Sequence, residues 1–447
     1  DPADGHRLSP AFVVLLALAG AASAAPRDAA DAAPSPRLGP LVDHHQHLLS
    51  PAVADMLRGE QAPVQLPAEI AALLKRRAAA WNDPQALAPL YIEDALLSDD
   101  EVVTGRKAVG EHVASRFGRP YPITPTASLA LASTRQVAAV YSRGEPGNRT
   151  DLGTTLLTFV ASPDGQWRIA SETMRFPAPG GYTPIDGDRL VALLDEASIQ
   201  RPVVLSIAYL FDSPYRPGIA DPTARVRAEN DWTAAQVRRH PARLVGFCSV
   251  NPLSESAIAE IDRCARQLHL AGLKLHFGNS QVDVANPAHL ARVQQVFAHA
   301  NRLRLPLVVH LWTGDDYGRR EAQIVLDSLL PHAPDVVVQL AHLGGAGPGW
   351  TDEALEVFAT ALEAGDARTR NLYLDVATVA ELQKHEQLQQ LAARIRQIGP
   401  QRILYGSDGA FGGNRTPDEH WGTFRGMVPL TDEEFAVIRD NVAPYLR

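Results

Sequence analysis

Cysteine is scarce in this 447-residue sequence, which has two, Cys248 and Cys264. They lie in a strand-like and a helix-like run, so the sequence predicts no disulfide framework. Two cysteines are also too few for a cysteine-based zinc site. Positive charge is in deficit, because 42 basic residues face 51 acidic residues and give a formal net charge of −9. A chain with this balance is not expected to bind nucleic acid or an anionic membrane.

Long apolar runs are nearly absent as well. One run, residues 11–19, follows Arg7, and Ala22, Ser23 and Ala24 after it fit an export-signal cleavage site. The run is too short to span a bilayer comfortably. We expect residues 1–24 to be a signal peptide for a periplasmic or secreted protein, and residues 25–37 to be a linker. The alternative is a disordered, alanine-rich leader on a cytoplasmic protein.

An alternation of strand-like and helical segments begins near residue 185. Seven strand-like segments, each preceded by a helical one, lie at 202–208, 244–250, 272–277, 306–310, 336–342, 371–376 and 402–408. Such alternation predicts parallel strands joined by right-handed crossovers. Residues 39–47 supply an eighth strand, and eight such units close a (β/α)8 TIM barrel. The alternative is a doubly wound open sheet, which would not need the strand near residue 40.

Residues 66–177 differ in character from the segments around them. Helical segments come first and four segments with period-two alternation follow, as expected of an α+β domain with its own core. We therefore predict a domain inserted after the first strand of a discontinuous barrel that comprises 38–65 and 178–447. The inserted segment resembles the cone-shaped SnoaL-like (nuclear-transport-factor-2-like) fold at 80–82 (AWN), 90–95 (LYIEDA), 104–109 (TGRKAV) and 165–172 (GQWRIASE).

Polar residues close most of the predicted barrel strands. In a TIM barrel these carboxyl ends carry the chemistry. Packing alone does not explain so many polar ends, because buried polar groups are costly without partners, whereas a metal ion would partner them. The residues concerned are His45, His47, Lys274, His276, His310, His342, Asp375 and Asp408.

The pattern is similar to the amidohydrolase superfamily, and within it to amidohydrolase family 2. The motifs that carry this resemblance are Asp43-x-His45-x-His47, 272–276 (GLKLH), 308–310 (VVH), 341–345 (AHLGG) and 405–408 (YGSD). The resemblance implies one divalent metal, usually zinc, held by His45, His47, His310 and Asp408, with His342 nearby. The same ligands suit Mn²⁺ and Fe²⁺. Asp408 and His342 are the expected catalytic residues: Asp408 would take a proton from metal-activated water, and His342 would hold the substrate carbonyl or the water.

Three residues near these motifs keep alternative interpretations. Lys274 is a tentative metal ligand if carboxylated, as in two-metal amidohydrolases. It would otherwise grip a substrate carboxylate or pair with an aspartate inside the barrel. Asp43 is expected to support the first strand and Asp375 to orient a ligand histidine, with ordinary buried hydrogen bonds as the alternative for both. His44 is expected to point outward.

Three functions fit these expectations. The leading one is a metal-dependent hydrolase that cleaves an ester, lactone or amide bond of a small molecule. The second is a metal-dependent decarboxylase of a small carboxylic acid, and an aromatic acid is one option because aromatic residues and arginines follow several strands. The third is a small-molecule binding protein with a degenerate barrel. The inserted domain is expected to act as a lid, a recognition element or an oligomerisation surface, which leaves a homo-oligomer open; Trp81, Tyr91 and Asp94 would line a pocket or pack in its core.

Overall fold

The computed structural model describes residues 39–60, 65–99, 101–116, 123–131, 134–143, 151–175, 184–409 and 415–447. The predicted export signal and the linker after it lie outside these ranges. The strands are β1 (Val42–Gln46), β2 (Tyr91–Ser98), β3 (Val102–Thr104), β4 (Ile123–Leu131), β5 (Thr134–Arg143), β6 (Asp151–Ala161), β7 (Trp167–Arg175), β8 (Arg201–Leu205), β9 (Val245–Ser249), β10 (Gly272–His276), β11 (Leu307–His310), β12 (Val338–Leu340), β13 (Leu372–Asp375) and β14 (Ile403–Leu404).

Helices follow most of the strands. They are α1 (Pro51–Glu60), α2 (Ala68–Ala79), α3 (Pro84–Leu87), α4 (Arg106–Arg116), α5 (Gly187–Glu196), α6 (Pro222–Arg239), α7 (Ala257–Arg266), α8 (Phe277–Ser280), α9 (Pro287–Arg302), α10 (Arg319–Ile324), α11 (Pro348–Glu363), α12 (Leu388–Ile398), α13 (Pro417–Met427) and α14 (Asp432–Asp440). Among the described residues, no helix combines the length and the apolarity needed to cross a membrane.

The chain divides into two compact units. The larger unit comprises the described residues up to Ser50 together with Ile185–Arg447, and the other is Pro51–Pro184. Eight parallel strands of the larger unit follow one another in the order β1-β8-β9-β10-β11-β12-β13-β14. This arrangement confirms the predicted TIM barrel with an α+β insertion after its first strand.

The first and last barrel strands meet through backbone hydrogen bonds. The amide of His44 donates to the carbonyl of Tyr405 at 2.8 Å, and the amide of Asp408 donates to the carbonyl of His45 at 2.7 Å. The side chain of Asp43 accepts from the Ser407 amide at 3.0 Å and from the Ser407 hydroxyl at 2.5 Å. These contacts close the sheet, which excludes the doubly wound open sheet.

Several barrel strands are shorter than the sequence predicts, and in two of them the shortening leaves a predicted site residue outside the strand. β12 ends at Leu340 and β14 at Leu404, whereas the predicted segments ran on to His342 and Asp408. His342 has φ 53° and Asp408 has φ 52°. Non-glycine residues rarely adopt this left-handed conformation, and it interrupts a strand. Both polar residues therefore lie beyond the carboxyl ends of their strands.

The two cysteines are joined in one disulfide between β9 and α7. Cys248 and Cys264 are both buried, and their Cα atoms are 6.0 Å apart. Two cysteines exclude a framework of several bridges, and this single bridge was not predicted from the sequence. Its strand-like and helix-like runs lie 16 residues apart, and only the crossover that packs α7 on β9 brings them together.

The smaller unit is a six-stranded sheet in the order β3-β2-β7-β6-β5-β4, in which β2 and β7 are parallel and the other described pairs antiparallel. Trp81 and Tyr91 belong to its apolar core, whereas Asp94 is exposed. An ion pair lies within this core: Arg77 donates to Glu172 at 2.6 Å and to the Tyr91 hydroxyl at 2.9 Å. Trp81 and Tyr91 therefore pack in the core of this unit. A pocket lined by Trp81, Tyr91 and Asp94 together does not describe them.

A buried carboxyl on α6 makes the stability of the larger unit depend on pH. Glu229 is 2% exposed and accepts one hydrogen bond, from Ser50 at 2.6 Å, while its other oxygen has no partner among the described residues. Burial raises the pKa of Glu229 from 4.5 to about 7. The folded protein therefore holds a proton that the unfolded chain releases, so stability falls as the pH rises from 4.5 to about 7.

We predict that Glu229→Gln removes this pH dependence. Relative to the variant, the wild type should lose about 3 kcal/mol of unfolding free energy between about pH 5 and pH 8. The measurement is denaturant unfolding of both proteins at the two pH values. Glu255→Gln, at an exposed position, is the control and should follow the wild type. Parallel pH profiles of wild type and Glu229→Gln would refute the buried, protonated carboxyl.

Candidate metal centre

Two histidines of the first strand region present their Nε2 atoms at the mouth of the barrel. His45 lies in β1, and the Nδ1 atom of its buried ring is 3.0 Å from Asp375 Oδ2. His47 follows the strand, and its Nδ1 atom is 2.8 Å from the Leu205 carbonyl oxygen. Because each Nδ1 faces an acceptor, the proton of each neutral ring is assigned to Nδ1. The lone pairs of both rings are then on Nε2.

A carboxylate meets these two nitrogens. Asp408 Oδ1 lies 3.3 Å from His45 Nε2 and 3.0 Å from His47 Nε2. Burial alone would raise the pKa of Asp408, but in the acid range, where this carboxylate would take up a proton, the protonated rings of His45 and His47 hold its pKa below its ordinary value. Burial, followed by the charge of Lys274, lowers the pKa of His45 to about 4. The centre therefore combines an ionised carboxylate with a neutral His45 ring.

The three ligand atoms form a set that suits a divalent cation. His45, His47 and Asp408 each offer one atom, and these atoms lie within 4.8 Å of one another. Two nitrogen lone pairs directed at an anionic oxygen repel one another unless a cation or a proton lies between them. Imidazole nitrogen and carboxylate oxygen are ordinary ligands of Zn²⁺, Mn²⁺ and Fe²⁺. The residues therefore fit the metal that the sequence predicted.

Asp375, the last residue of β13, supports this set from below. Its carboxylate accepts hydrogen bonds from His45 Nδ1 at 3.0 Å, from Gln339 Nε2 at 2.7 Å, from the His342 amide at 2.9 Å and from the Ala377 amide at 3.2 Å. Burial would raise the pKa of Asp375, but the His45 and His342 contacts hold it below its ordinary value. Of the two roles predicted for Asp375, the contacts match the orientation of a histidine.

His342 lies beside the three ligand atoms. Its ring centroid is 4.9 Å from that of His45 and 5.0 Å from that of His310. The Nδ1 atom is 2.7 Å from the Ala377 carbonyl oxygen, so the Nε2 atom of the neutral ring is an acceptor. The left-handed backbone at His342 directs the ring into this position while its amide binds Asp375.

Lys274 enters the same centre from β10. The side chain is 1% exposed, and Nζ lies 3.3 Å from His45 Nε2. Burial lowers the pKa of Lys274 to about 8, although the charges of Asp408 and Asp375 act in the opposite direction. The predicted roles of Lys274 remain predictions.

His310 and His276 are stacked at the neighbouring strand ends. Their ring centroids are 3.9 Å apart with planes inclined by 18°. The backbone amide of Asn279 lies 3.1 Å from His276 Nδ1, and the side-chain Nδ2 of Asn279 lies 3.0 Å from His276 Nε2. Burial, with His276 next, lowers the pKa of His310 well below its ordinary value. His310 is next to the set formed by His45, His47 and Asp408. Among the described residues it is not a member of that set.

Several residues that build this centre were not predicted from the sequence. Gln339 interrupts the apolar run of β12, and this polar residue within an apolar strand could have identified it from the sequence. Its side chain donates to the His44 carbonyl as well as to Asp375. Tyr209 follows β8 and packs on His276 with centroids 4.9 Å apart. His44 points away from the three ligand atoms, as predicted. It is nevertheless fully buried, because its Nδ1 contacts the Tyr405 carbonyl and its Nε2 accepts from the Ala443 amide.

Comparison with known proteins gave one family match. A family model described as amidohydrolase matches residues 217–440, which is half of the chain. No curated protein matched the chain.

Solved structures resemble each unit separately. A 2,6-dihydroxybenzoate decarboxylase complexed with 2,6-dihydroxybenzoate is 17% identical, with 57% of this chain and 85% of that chain covered and a TM-score of 0.41. A 5-carboxyvanillate decarboxylase from Novosphingobium aromaticivorans, complexed with manganese, is 15% identical, with 57% and 77% covered and a TM-score of 0.39. A ketosteroid isomerase-like protein from Erwinia carotovora atroseptica is 18% identical, with 25% and 96% covered and a TM-score of 0.22.

We predict that His47→Ala abolishes tight metal binding. Loss of a direct ligand should raise the Kd for Mn²⁺ by more than the roughly 10–100-fold that loss of a supporting hydrogen bond costs. His44→Gln is the matched control, because His44 is a neighbouring buried histidine whose nitrogens contact Tyr405 and Ala443 instead. The measurement is calorimetric titration of the metal-free proteins.

The control should keep the wild-type Kd even if its thermal stability falls. If both variants lost metal equally, the loss would reflect damage to the barrel. If His47→Ala kept wild-type affinity, the set of three ligand atoms would be wrong.

Proposed function

We propose that this chain, which belongs to the amidohydrolase family, is a metal-dependent hydrolase that cleaves an ester, lactone or amide bond of a small molecule. The observation that supports this most directly is the meeting of His45 Nε2, His47 Nε2 and Asp408 Oδ1. A divalent cation, when bound, supplies Lewis acidity toward an oxygen atom of water or substrate. Zinc is our first choice, and the same ligands suit manganese.

His45, His47 and Asp408 would hold the cation, with His310 as a further proposed ligand and Lys274 as a tentative one if its amine is carboxylated. Asp408 is also the proposed proton acceptor. Its carboxylate stays ionised because His45 and His47 hold its pKa low, so it can take a proton from the attacking water. The same carboxylate then returns that proton to the leaving group, which balances the hydrolysis.

His342 is proposed to orient the attacking water. Its Nδ1 donates to the Ala377 carbonyl, so Nε2 can accept a hydrogen bond but cannot donate one in the neutral ring. This polarity favours a contact with a water O–H over a contact with the substrate carbonyl. Of the two roles that the sequence suggested for His342, we therefore propose the orientation of water.

Lys274 favours the second candidate, a decarboxylase. A buried ammonium group 3.3 Å from His45 Nε2 would attract a substrate carboxylate to the strand ends. In that reaction no water attacks: the carbon–carboxylate bond breaks, CO₂ leaves, and a proton takes its place on the carbon. The two reactions need the same metal ligands and differ in whether water oxygen enters the product.

Water enriched in oxygen-18 distinguishes the two reactions. The protein, loaded with Zn²⁺ or Mn²⁺, is incubated with a panel of aryl esters, lactones, anilides and benzoic acids. Hydrolysis should place one oxygen-18 atom in the product carboxylate and release no CO₂, and a chelator should abolish it. Release of CO₂ without incorporation of the label would favour the decarboxylase.

Asp408→Asn tests the proton acceptor in the same assay. The variant should lose at least about 10²-fold in kcat, as expected when a general base is removed. Asp316→Asn, at an exposed position after β11, is the control and should keep wild-type kcat. Turnover that survives the chelator, or a fully active Asp408→Asn variant, would contradict the proposed function.

A further inference from the structure

A buried tyrosine lies at the barrel mouth beside the stacked histidines. Tyr209 belongs to a short 3-10 turn, Ala208–Asp212, that follows β8. Its amide donates to the Ser249 hydroxyl at 3.0 Å, which ties this turn to the end of β9. Its ring packs on His276 with centroids 4.9 Å apart. The backbone hydrogen bond and the ring contact thus fix the position of the Tyr209 side chain.

The hydroxyl of Tyr209 differs from those of three other tyrosines of this unit. Tyr317 donates to the Gly344 carbonyl at 2.5 Å, Tyr405 to the Pro417 carbonyl at 2.7 Å and Tyr445 to Gln339 Oε1 at 2.9 Å. The Tyr209 side chain is 5% exposed, and among the described residues its hydroxyl has no hydrogen-bond partner, although this oxygen is not one of the fully buried polar atoms that lack one. The hydroxyl therefore reaches the solvent at the barrel mouth, where an oxygen of a bound molecule can take the place of water as its acceptor.

The charges of two side chains, Asp408 and Arg216, act on this hydroxyl. Burial, followed by the charge of Asp408, raises the pKa of Tyr209 well above its ordinary value, whereas Arg216 acts in the opposite direction. The hydroxyl therefore keeps its proton and acts as a donor. Arg216 Nη1 lies 3.4 Å from Asn279 Oδ1, and Asn279 contacts both nitrogens of His276. The donor is thus under the electrostatic influence of the proposed proton acceptor Asp408 and of the Arg216 guanidinium group.

We propose that the Tyr209 hydroxyl donates a hydrogen bond to an anionic oxygen of the bound substrate, with Arg216 balancing the charge of that oxygen. The substrate class is a small molecule that carries a carboxylate or a comparable oxyanion. This inference rests on the proposed function, since it places the substrate beside Asp408. A packing role would instead depend on the ring of Tyr209 and leave the hydroxyl without effect.

The test removes the hydroxyl and keeps the ring. Benzoate is the probe, because it has one carboxylate and no other polar group. Isothermal titration of the Mn²⁺-loaded proteins should show Kd for benzoate raised about tenfold in Tyr209→Phe, the usual effect of losing a hydrogen bond to a charged group. Manganese content and Tm should stay at wild-type values.

Tyr317→Phe is the matched control, since it removes the hydroxyl of a similarly buried side chain, and that hydroxyl has a backbone acceptor. It should lower Tm and leave benzoate affinity unchanged. Wild-type affinity in Tyr209→Phe, equal weakening in both variants, or no benzoate binding by the wild type would each overturn the proposal. Benzoate binding needs no turnover, so a failure of hydrolysis in the chelator assay would be distinguishable from a failure of this inference.

Discussion

The buried carboxylate of Asp375 is the interaction on which the rest of the centre depends. It binds the Nδ1 proton of His45, which places the lone pair of that ring on Nε2. It also accepts from the amide of His342, which holds the backbone turn that directs that ring. Gln339 extends the network to the C-terminus, because it donates to Asp375 and accepts from the Tyr445 hydroxyl. An unpaired carboxylate at this depth would be strongly destabilising, so these contacts are mutually required.

The candidate metal centre lies where the barrel closes. His45 and His47 come from the first strand region, and Asp408 follows the last strand, so the convergent ligands meet across the contact between the two ends of the sheet. The hydrogen bond from the Asp408 amide to the His45 carbonyl belongs to this closure and also fixes the two ligands relative to each other. The contacts that close the barrel therefore also bring the metal ligands together. A domain inserted after β1 leaves this geometry intact as long as β1 keeps its place next to β8.

Part of this arrangement could be read from the sequence, because strand ends in a closed barrel are brought together by topology alone. The period-two spacing of His45 and His47 and the polar residues that close later strands were sufficient to predict which side chains share the barrel mouth. The spacing could not reveal the left-handed conformations of His342 and Asp408, since these depend on hydrogen bonds to Asp375 and to β1. Gln339 and Tyr209 were missed for the same reason: their roles follow from partners on other strands. The pairing of Cys248 with Cys264 likewise depends on how a helix packs on its strand.

The central claim is that His45, His47 and Asp408 bind one divalent cation at this closure. Anomalous diffraction from crystals grown with Zn²⁺ or Mn²⁺ tests it directly, because the signal locates the metal independently of activity. We predict a single strong anomalous peak within bonding distance of His45 Nε2, His47 Nε2 and Asp408 Oδ1. A peak elsewhere in the barrel, or no peak in crystals that hold saturating metal, would contradict it.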